Sequence, residues 1–199
     1  MLCKNLGMYW PVGAVNTRQY PPSGQPGSFW QDRGDRHHAG VDLYAPAGSP
    51  VYAIQTGRVV AVSIFTSPGI LPYWNTTYSI LLQLPSGIIL RYAELGQSLA
   101  IQGDVVLAGQ MIGKVGEVLM KNRVTTSDPQ YIQDLKSADH SAMLHFEVYN
   151  SPPEDWNENY LGGNYFGYVD PPPFLLDPGP LLDEILASGV SHSEENQVY

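Results

Sequence analysis

Cysteine is nearly absent from this chain: Cys3 is the only one in 199 residues. That excludes a disulfide framework and any cysteine-rich zinc module. Charge is also scarce, at 15% of residues. Lys and Arg are missing altogether beyond residue 150, where residues 151–199 carry nine acids. Residues 1–150 hold ten basic and ten acidic side chains, so the whole net charge of -9 belongs to the last quarter. No basic face is left for a phosphate backbone or an anionic membrane surface, so no nucleic-acid partner is expected. The acidic tail reads as a solvated segment that aids solubility. There is no run of about 18 apolar residues, hence no transmembrane segment. Met1–Trp10 has one Lys but no apolar h-region, so no signal peptide is visible and Cys3 does not read as a lipoprotein cysteine.

What the chain does have is 43% hydrophobic residues, 13 Tyr, 4 Trp, 20 Gly and 17 Pro. That composition suits a globular, mainly β, turn-rich single domain. β-Branched runs at Val51–Ile54, Arg58–Ile64, Ser79–Leu84, Ile88–Leu95, Gln110–Val115 and Leu144–Tyr149 predict short antiparallel strands. Pro85-Ser86-Gly87 reads as a three-residue hairpin loop between two of them. In an insertion at about 117–142, Asp128 as N-cap and Pro129 at the first helical position predict a helix over Pro129–Lys136. A second short helix is expected at Pro180–Ala187, with Leu181, Leu182, Ile185 and Leu186 at helical spacing. The domain reading is an irregular segment 1–36 packed on the domain, a core domain 37–173 and an acidic tail 174–199. Within it the proline-rich stretch 151–180 is expected to wrap the sheet, and the end of the chain to fray.

Two short patterns carry chemistry. His38-Ala39-Gly40-Val41-Asp42 places an imidazole and a carboxylate four residues apart, on one face if the segment is extended. A neutral imidazole and a carboxylate suit a zinc ion that keeps one water. In Met143-Leu144-His145-Phe146-Glu147-Val148-Tyr149 the alternation puts Leu144, Phe146 and Val148 on a core face and Met143, His145 and Glu147 on the other. Taken singly, the first suits an ordinary surface pair and the second a hydrogen-bonded, half-buried histidine.

Together with Trp10-Pro11-Val12, Gly57-Arg58-Val59-Val60, Tyr92-Ala93-Glu94-Leu95, the Gly109–Gly116 segment and Val169-Asp170-Pro171, these patterns resemble, in order and spacing, the lysostaphin-like or LytM-type zinc metalloendopeptidases. The resemblance covers about Trp10 to Pro173. It implies a compact antiparallel β-sheet domain with a central groove, and zinc held by His38, Asp42 and His145. His37 has the wrong spacing and is expected to point away. The chain departs from the family pattern where the two accessory histidines stand. One position is Met143, which neither donates nor accepts a proton. The other is Glu94, for which Arg91 and Arg58 are candidate salt-bridge partners. As in D-Ala-D-Ala peptidases with a similar metal site, Glu94 can serve as general base, and His140 is the candidate oxyanion donor.

The implied function is cleavage of peptide crosslinks in peptidoglycan, outside the cytoplasm, with altered or weak catalysis. Tyr44, Tyr73, Trp74 and Asn75 are candidate groove residues, and Phe65–Thr77 a rim loop. The alternative is an inactive wall-binding or regulatory module that keeps its zinc and has a protein partner, or in which zinc only tightens the fold.

Overall fold

A computed structural model describes residues 7–13, 18–34, 36–150 and 168–189. Among the described residues, nine strands form one antiparallel sheet: β1 Val41–Tyr44, β2 Pro50–Tyr52, β3 Gly57–Ile64, β4 Tyr78–Gln83, β5 Ile89–Ser98, β6 Val105–Val106, β7 Met111–Glu117, β8 Ala142–Tyr149 and β9 Leu175–Leu176. The order along the sheet is β1-β8-β7-β5-β4-β3-β6, with β2 on β7 and β9 on β8. All the strands expected from sequence are present, with ends shifted by up to three residues. The Pro85-Ser86-Gly87 loop closes through Leu84 N–H to Ile88 C=O at 2.8 Å. No helix among the described residues is long and apolar enough to cross a membrane.

The core lies under this sheet. Trp10, Ile54, Ile80, Leu82, Leu90, Tyr92, Leu95, Ile112 and Phe146 are fully buried together. The alternation read in β8 holds: Leu144, Phe146 and Val148 join that core. Met143 faces away from it, into a second cluster with Tyr73, Trp74, Val118, Leu119 and Ile132.

β8 is the hinge of the topology. Its first residues pair with β7 (Gly116 opposite Met143), and its later ones pair with β5 (Ala93 opposite His145). β5 makes the complementary exchange, leaving β8 after Ala93 and joining β7 at Leu95. Glu94 sits at the changeover. There Ala93 and Glu94 together oppose Ser79 of β4, a bulge with Glu94 in the left-handed region at φ 61°. Bulge and crossing are tight: a Cβ on Gly116 would lie 2.7 Å from the Glu94 carbonyl oxygen. At Gly40 it would lie 2.2 Å from the Phe146 carbonyl oxygen, so glycine is what lets the chain entering β1 lie against β8.

Helix α1 spans Gln130–Ser137, and α2 spans Gly179–Ser188 with Gly189 at φ 67° ending it. Two expectations about α1 are corrected. It starts one residue later than Pro129, and Asp128 is not its cap. The Asp128 carboxylate is taken by the Thr125 N–H at 2.6 Å and the Thr125 hydroxyl at 3.0 Å, which close the preceding turn. In α2, Leu182 and Ile185 are buried. Of the proline-rich stretch 151–180 expected to wrap the sheet, 151–167 lie outside the described residues, as does most of the expected frayed end, 190–199.

Truncating Phe146 to Ala should cost about 3–5 kcal/mol of unfolding free energy, the usual range for a buried aromatic. Ile101, 70% exposed, should tolerate the same truncation within about 0.5 kcal/mol. Denaturant titration of both variants checks the placement of the core.

Candidate metal centre

The register of β1 on β8 sets Asp42 directly opposite His145. His38, just before β1, reaches the same point, so three donors from two distant parts of the chain converge. His38 Nε2 lies 2.9 Å from His145 Nδ1 and 3.2 Å from Asp42 Oδ1, and His145 Nδ1 lies 3.0 Å from the same Oδ1. All three side chains are buried.

These atoms fit a zinc ion. Donors of a tetrahedral zinc, with bonds of about 2.0–2.1 Å, stand roughly 3.3 Å apart, close to the triangle observed. The outer nitrogen of each imidazole is already engaged. His38 Nδ1 is 2.8 Å from the Ser28 carbonyl oxygen, which can only accept, so the proton sits on Nδ1 and the Nε2 lone pair points into the triangle. His145 Nε2 donates to Glu147 Oε1 at 2.7 Å, which leaves Nδ1 as the ligand atom.

Behind His145 lies a buried chain of polar groups. Glu147, 1% exposed, also accepts from the Tyr149 hydroxyl through Oε2, and Arg91 Nη1 stands 3.3 Å from that oxygen. The Arg91 guanidinium lies 5.5 Å from the Phe65 ring centre, and that ring stacks on His145 at 5.6 Å. In front, Arg33 Nη2 donates to Asp42 Oδ2 at 3.1 Å, leaving Oδ1 for the histidines.

The charges follow from these contacts. Burial, with Arg33 adding to it, pushes His38 down to about 4. Burial also opposes charge on His145, but hydrogen bonds to Asp42 and Glu147 outweigh it and raise it to about 10. Burial works against Glu147 as a carboxylate, yet Arg91 and His145 bring it down to about 2. The metal-free centre therefore carries one proton on His145 that zinc must displace.

Two cavities flank the site and share Arg33 and Tyr131 in their walls. One, about 490 Å³, has Asp42, Tyr44 and Tyr131 in its walls; the other, about 280 Å³, has Glu94, His145, Trp74 and Tyr131. Glu94 is 9% exposed, with Oε2 unpaired, and burial together with the Asp42 charge raises it to about 8. Of its candidate ion-pair partners, Arg91 binds Glu147 and Arg58 donates to the Gly103 carbonyl at 2.9 Å. His140 lies in the other cavity, exposed, its ring 4.6 Å from that of Tyr44. His37 stands outside the triangle, stacked on Trp30 at 4.6 Å. Of the expected groove residues, Tyr44 and Trp74 line the cavities. Tyr73 is buried beside Trp74, and the Asn75 amide donates to the Glu117 carbonyl at 3.0 Å. Sequence reading missed Arg33 and the Glu147–Arg91–Tyr149 chain. The signal for the latter was present: Glu147 and Tyr149 share the His145 face of β8 by alternation.

Zinc binding near pH 7 should release about one proton, because His145 must lose the one on Nδ1. Calorimetric titration in buffers of different ionisation enthalpy measures it. Glu147→Gln, which keeps shape but removes the charge behind His145, should weaken zinc binding about 10–100-fold in a chelator competition.

Comparison with known proteins agrees with the geometry. A model of Peptidase family M23 matches residues 36–158. An uncharacterized lipoprotein of Escherichia coli K12, YgeR, is 30% identical over 115 residues, 53% of this chain, and the match spans only 43% of that protein. Among solved structures, LytU aligns at a TM-score of 0.50 and 20% identity, covering 86% of this chain and 88% of its own. The catalytic domain of lysostaphin from Staphylococcus simulans aligns at 0.46 and 21% identity, covering 88% and 89%. LytU at this identity shares the fold. Zinc is the cofactor that the donor set and the family agree on. With well over half of its length matched by the family model, the chain belongs to peptidase family M23.

Proposed function

We propose that this protein is a zinc-dependent metalloendopeptidase that hydrolyses peptide crosslinks of peptidoglycan outside the cytoplasm. One observation carries the reading. Two buried imidazoles, each with its outer nitrogen anchored, turn their inner nitrogens toward Asp42 beside two cavities that share Arg33 and Tyr131 in their walls. Membership of a peptidase family and a relative described as a lipoprotein support the substrate and the compartment.

Zinc held by His38, Asp42 and His145 supplies a polarised carbonyl and a water whose pKa is lowered toward about 7. With a divalent ion beside it favouring its ionised form, Glu94 is the group that would take the proton of the attacking water and hand it to the leaving amine. Its buried carboxylate lines the cavity of His145, and the unpaired Oε2 is available for that proton. The bulge at φ 61° fixes its direction. His140, its ring against that of Tyr44 in the cavity that Asp42 lines, is the donor to the developing oxyanion. Arg33, on the far oxygen of Asp42, holds that carboxylate to a single donating oxygen.

One observation favours a second reading, a zinc-bearing wall-binding module without turnover. Met143 is sealed in the Tyr73–Trp74 cluster and brings no proton chemistry to the centre.

Turbidity of purified cell walls should fall with the zinc-loaded protein and hold steady once a chelator is added. Binding to walls with no loss of turbidity would support the module instead. Glu94→Gln should lower the hydrolysis rate about 10²–10⁴-fold with zinc content unchanged. His140→Ala should lower it about 10²-fold.

A further inference from the structure

Half of the large apolar side chains left exposed among the described residues fall within residues 99–111: Leu99, Ile101, Val105, Leu107 and Met111, each between 42% and 70% exposed. The one charged residue of that stretch is Asp104. Two turns of the same build bracket β6. In Ile101–Asp104, the Asp104 N–H donates to the Ile101 carbonyl at 3.1 Å, and the Asp104 carboxylate accepts the Ile101 N–H at 3.0 Å. In Leu107–Gln110, the Gln110 N–H donates to the Leu107 carbonyl at 3.0 Å, and the Gln110 amide oxygen accepts the Leu107 N–H at 2.9 Å. The third residue of each is a glycine in the left-handed region, Gly103 at φ 99° and Gly109 at φ 78°. Each turn thus folds its last side chain back onto its own backbone and leaves an aliphatic one, Ile101 or Leu107, in solvent.

Other amides of the turns donate inward as well. Gly103 bonds the Val59 carbonyl at 2.8 Å, Ala108 the Thr56 hydroxyl at 3.0 Å and Gly109 the Ala53 carbonyl at 2.9 Å. Val105 stands on β6 between the turns. Directly across from it in β3 is Arg58, whose guanidinium reaches the Gly103 carbonyl at 2.9 Å. The Leu99 N–H donates to the Ile112 carbonyl at 2.8 Å, which sets Leu99 beside the strand that Met111 begins.

Three features say what covers these side chains. None of the five lines a described cavity, so they form a raised patch and not a groove. Their exposed parts come to roughly 500 Å², the size of a single functional patch. A stable protein interface takes about 800 Å² from each partner. The turn amides are already satisfied inside the protein, which is the condition for entering a medium that offers no hydrogen bonds. Charge narrows the choice. A chain of net charge -9 is repelled by an anionic surface, and this stretch is almost uncharged.

We propose that β6 and its two turns form a membrane-docking face, which dips Ile101, Val105 and Leu107 into the boundary between headgroups and acyl chains of a zwitterionic phospholipid surface. Arg58, beside Val105, pairs with a lipid phosphate there. β6 and β1 stand at opposite ends of the strand order, so this face is separate from the metal ligand Asp42.

The test is co-sedimentation of the full chain with vesicles of phosphatidylcholine, alone or mixed with phosphatidylglycerol. The chain should partition onto phosphatidylcholine, and added salt should change its affinity less than about twofold, because the insertion is apolar. Ile101→Asp and Leu107→Asp should each weaken partition at least about tenfold, whereas Ile101→Leu should keep it. Ile64→Asp, at an exposed apolar site elsewhere, should leave it unchanged. No partition, or partition that needs phosphatidylglycerol, overturns the proposal. Partition that persists when Ile101→Asp and Leu107→Asp are combined also overturns it. So do dimers in analytical ultracentrifugation that Leu107→Asp dissolves, seen without vesicle binding, because the face would then belong to a second copy of the chain. Neither zinc nor turnover enters the readout.

Discussion

The antiparallel register that puts Asp42 across from His145 is the constraint on which the centre depends. A slip of one residue between β1 and β8 would turn every side chain of the displaced strand to the other face. His145 would enter the core, and Phe146 would meet solvent and charge. The register is held from both sides. The Leu144, Phe146 and Val148 face is committed to the main core. At Gly40, only the lack of a side chain lets the incoming chain close on the Phe146 carbonyl. The metal site is therefore a by-product of hydrophobic alternation plus one close backbone approach.

Burial alone would make this centre unfavourable. Three acids, two histidines and an arginine lie in it nearly sealed from water: Asp42, Glu94, Glu147, His38, His145 and Arg91. Taking such groups out of water is costly unless each charge has a partner. The protein meets this by pairing in sequence: Arg91 with Glu147, Glu147 with His145, His145 with Asp42, and Asp42 with Arg33. His38 stays neutral, its Nδ1–H donated to the Ser28 carbonyl. Glu94 is the member whose outer oxygen has no such partner, and it lies at a strained bulge where β5 changes neighbours. Backbone strain and an unpaired buried oxygen at one residue, facing a cavity, mark it as the group kept for chemistry.

Local periodicity made much of this legible. The strands, the core face of β8, the insertion helix and the two halves of the ligand set could be read from alternation, turn residues and the His-x-x-x-Asp spacing. The resemblance to a known family joined the two halves. What could not be read depends on contacts between distant segments. Nothing in the Arg33-Gly34-Asp35-Arg36 turn says that it lies over Tyr131, almost a hundred residues away. Asp128 before Pro129 has the form of a helix cap. Yet Thr125 offers that carboxylate both a backbone N–H and a hydroxyl, and the nearer turn takes it. Glu94 and Arg91 share a strand, but the partner change of β5 after Ala93 separates their roles. Arg91 turns to Glu147, while Glu94 lines the cavity of His145.

The most direct test of the central claim is X-ray absorption at the zinc edge on the stoichiometrically loaded chain. The account predicts one zinc per chain, with two imidazole nitrogens, one carboxylate oxygen and one water oxygen at about 2.0–2.2 Å and no sulfur in the first shell. A sulfur scatterer at about 2.3 Å would contradict it, because Cys3 or a methionine would then be holding the ion. So would a first shell that is unchanged when Asp42 and His145 are replaced by alanine.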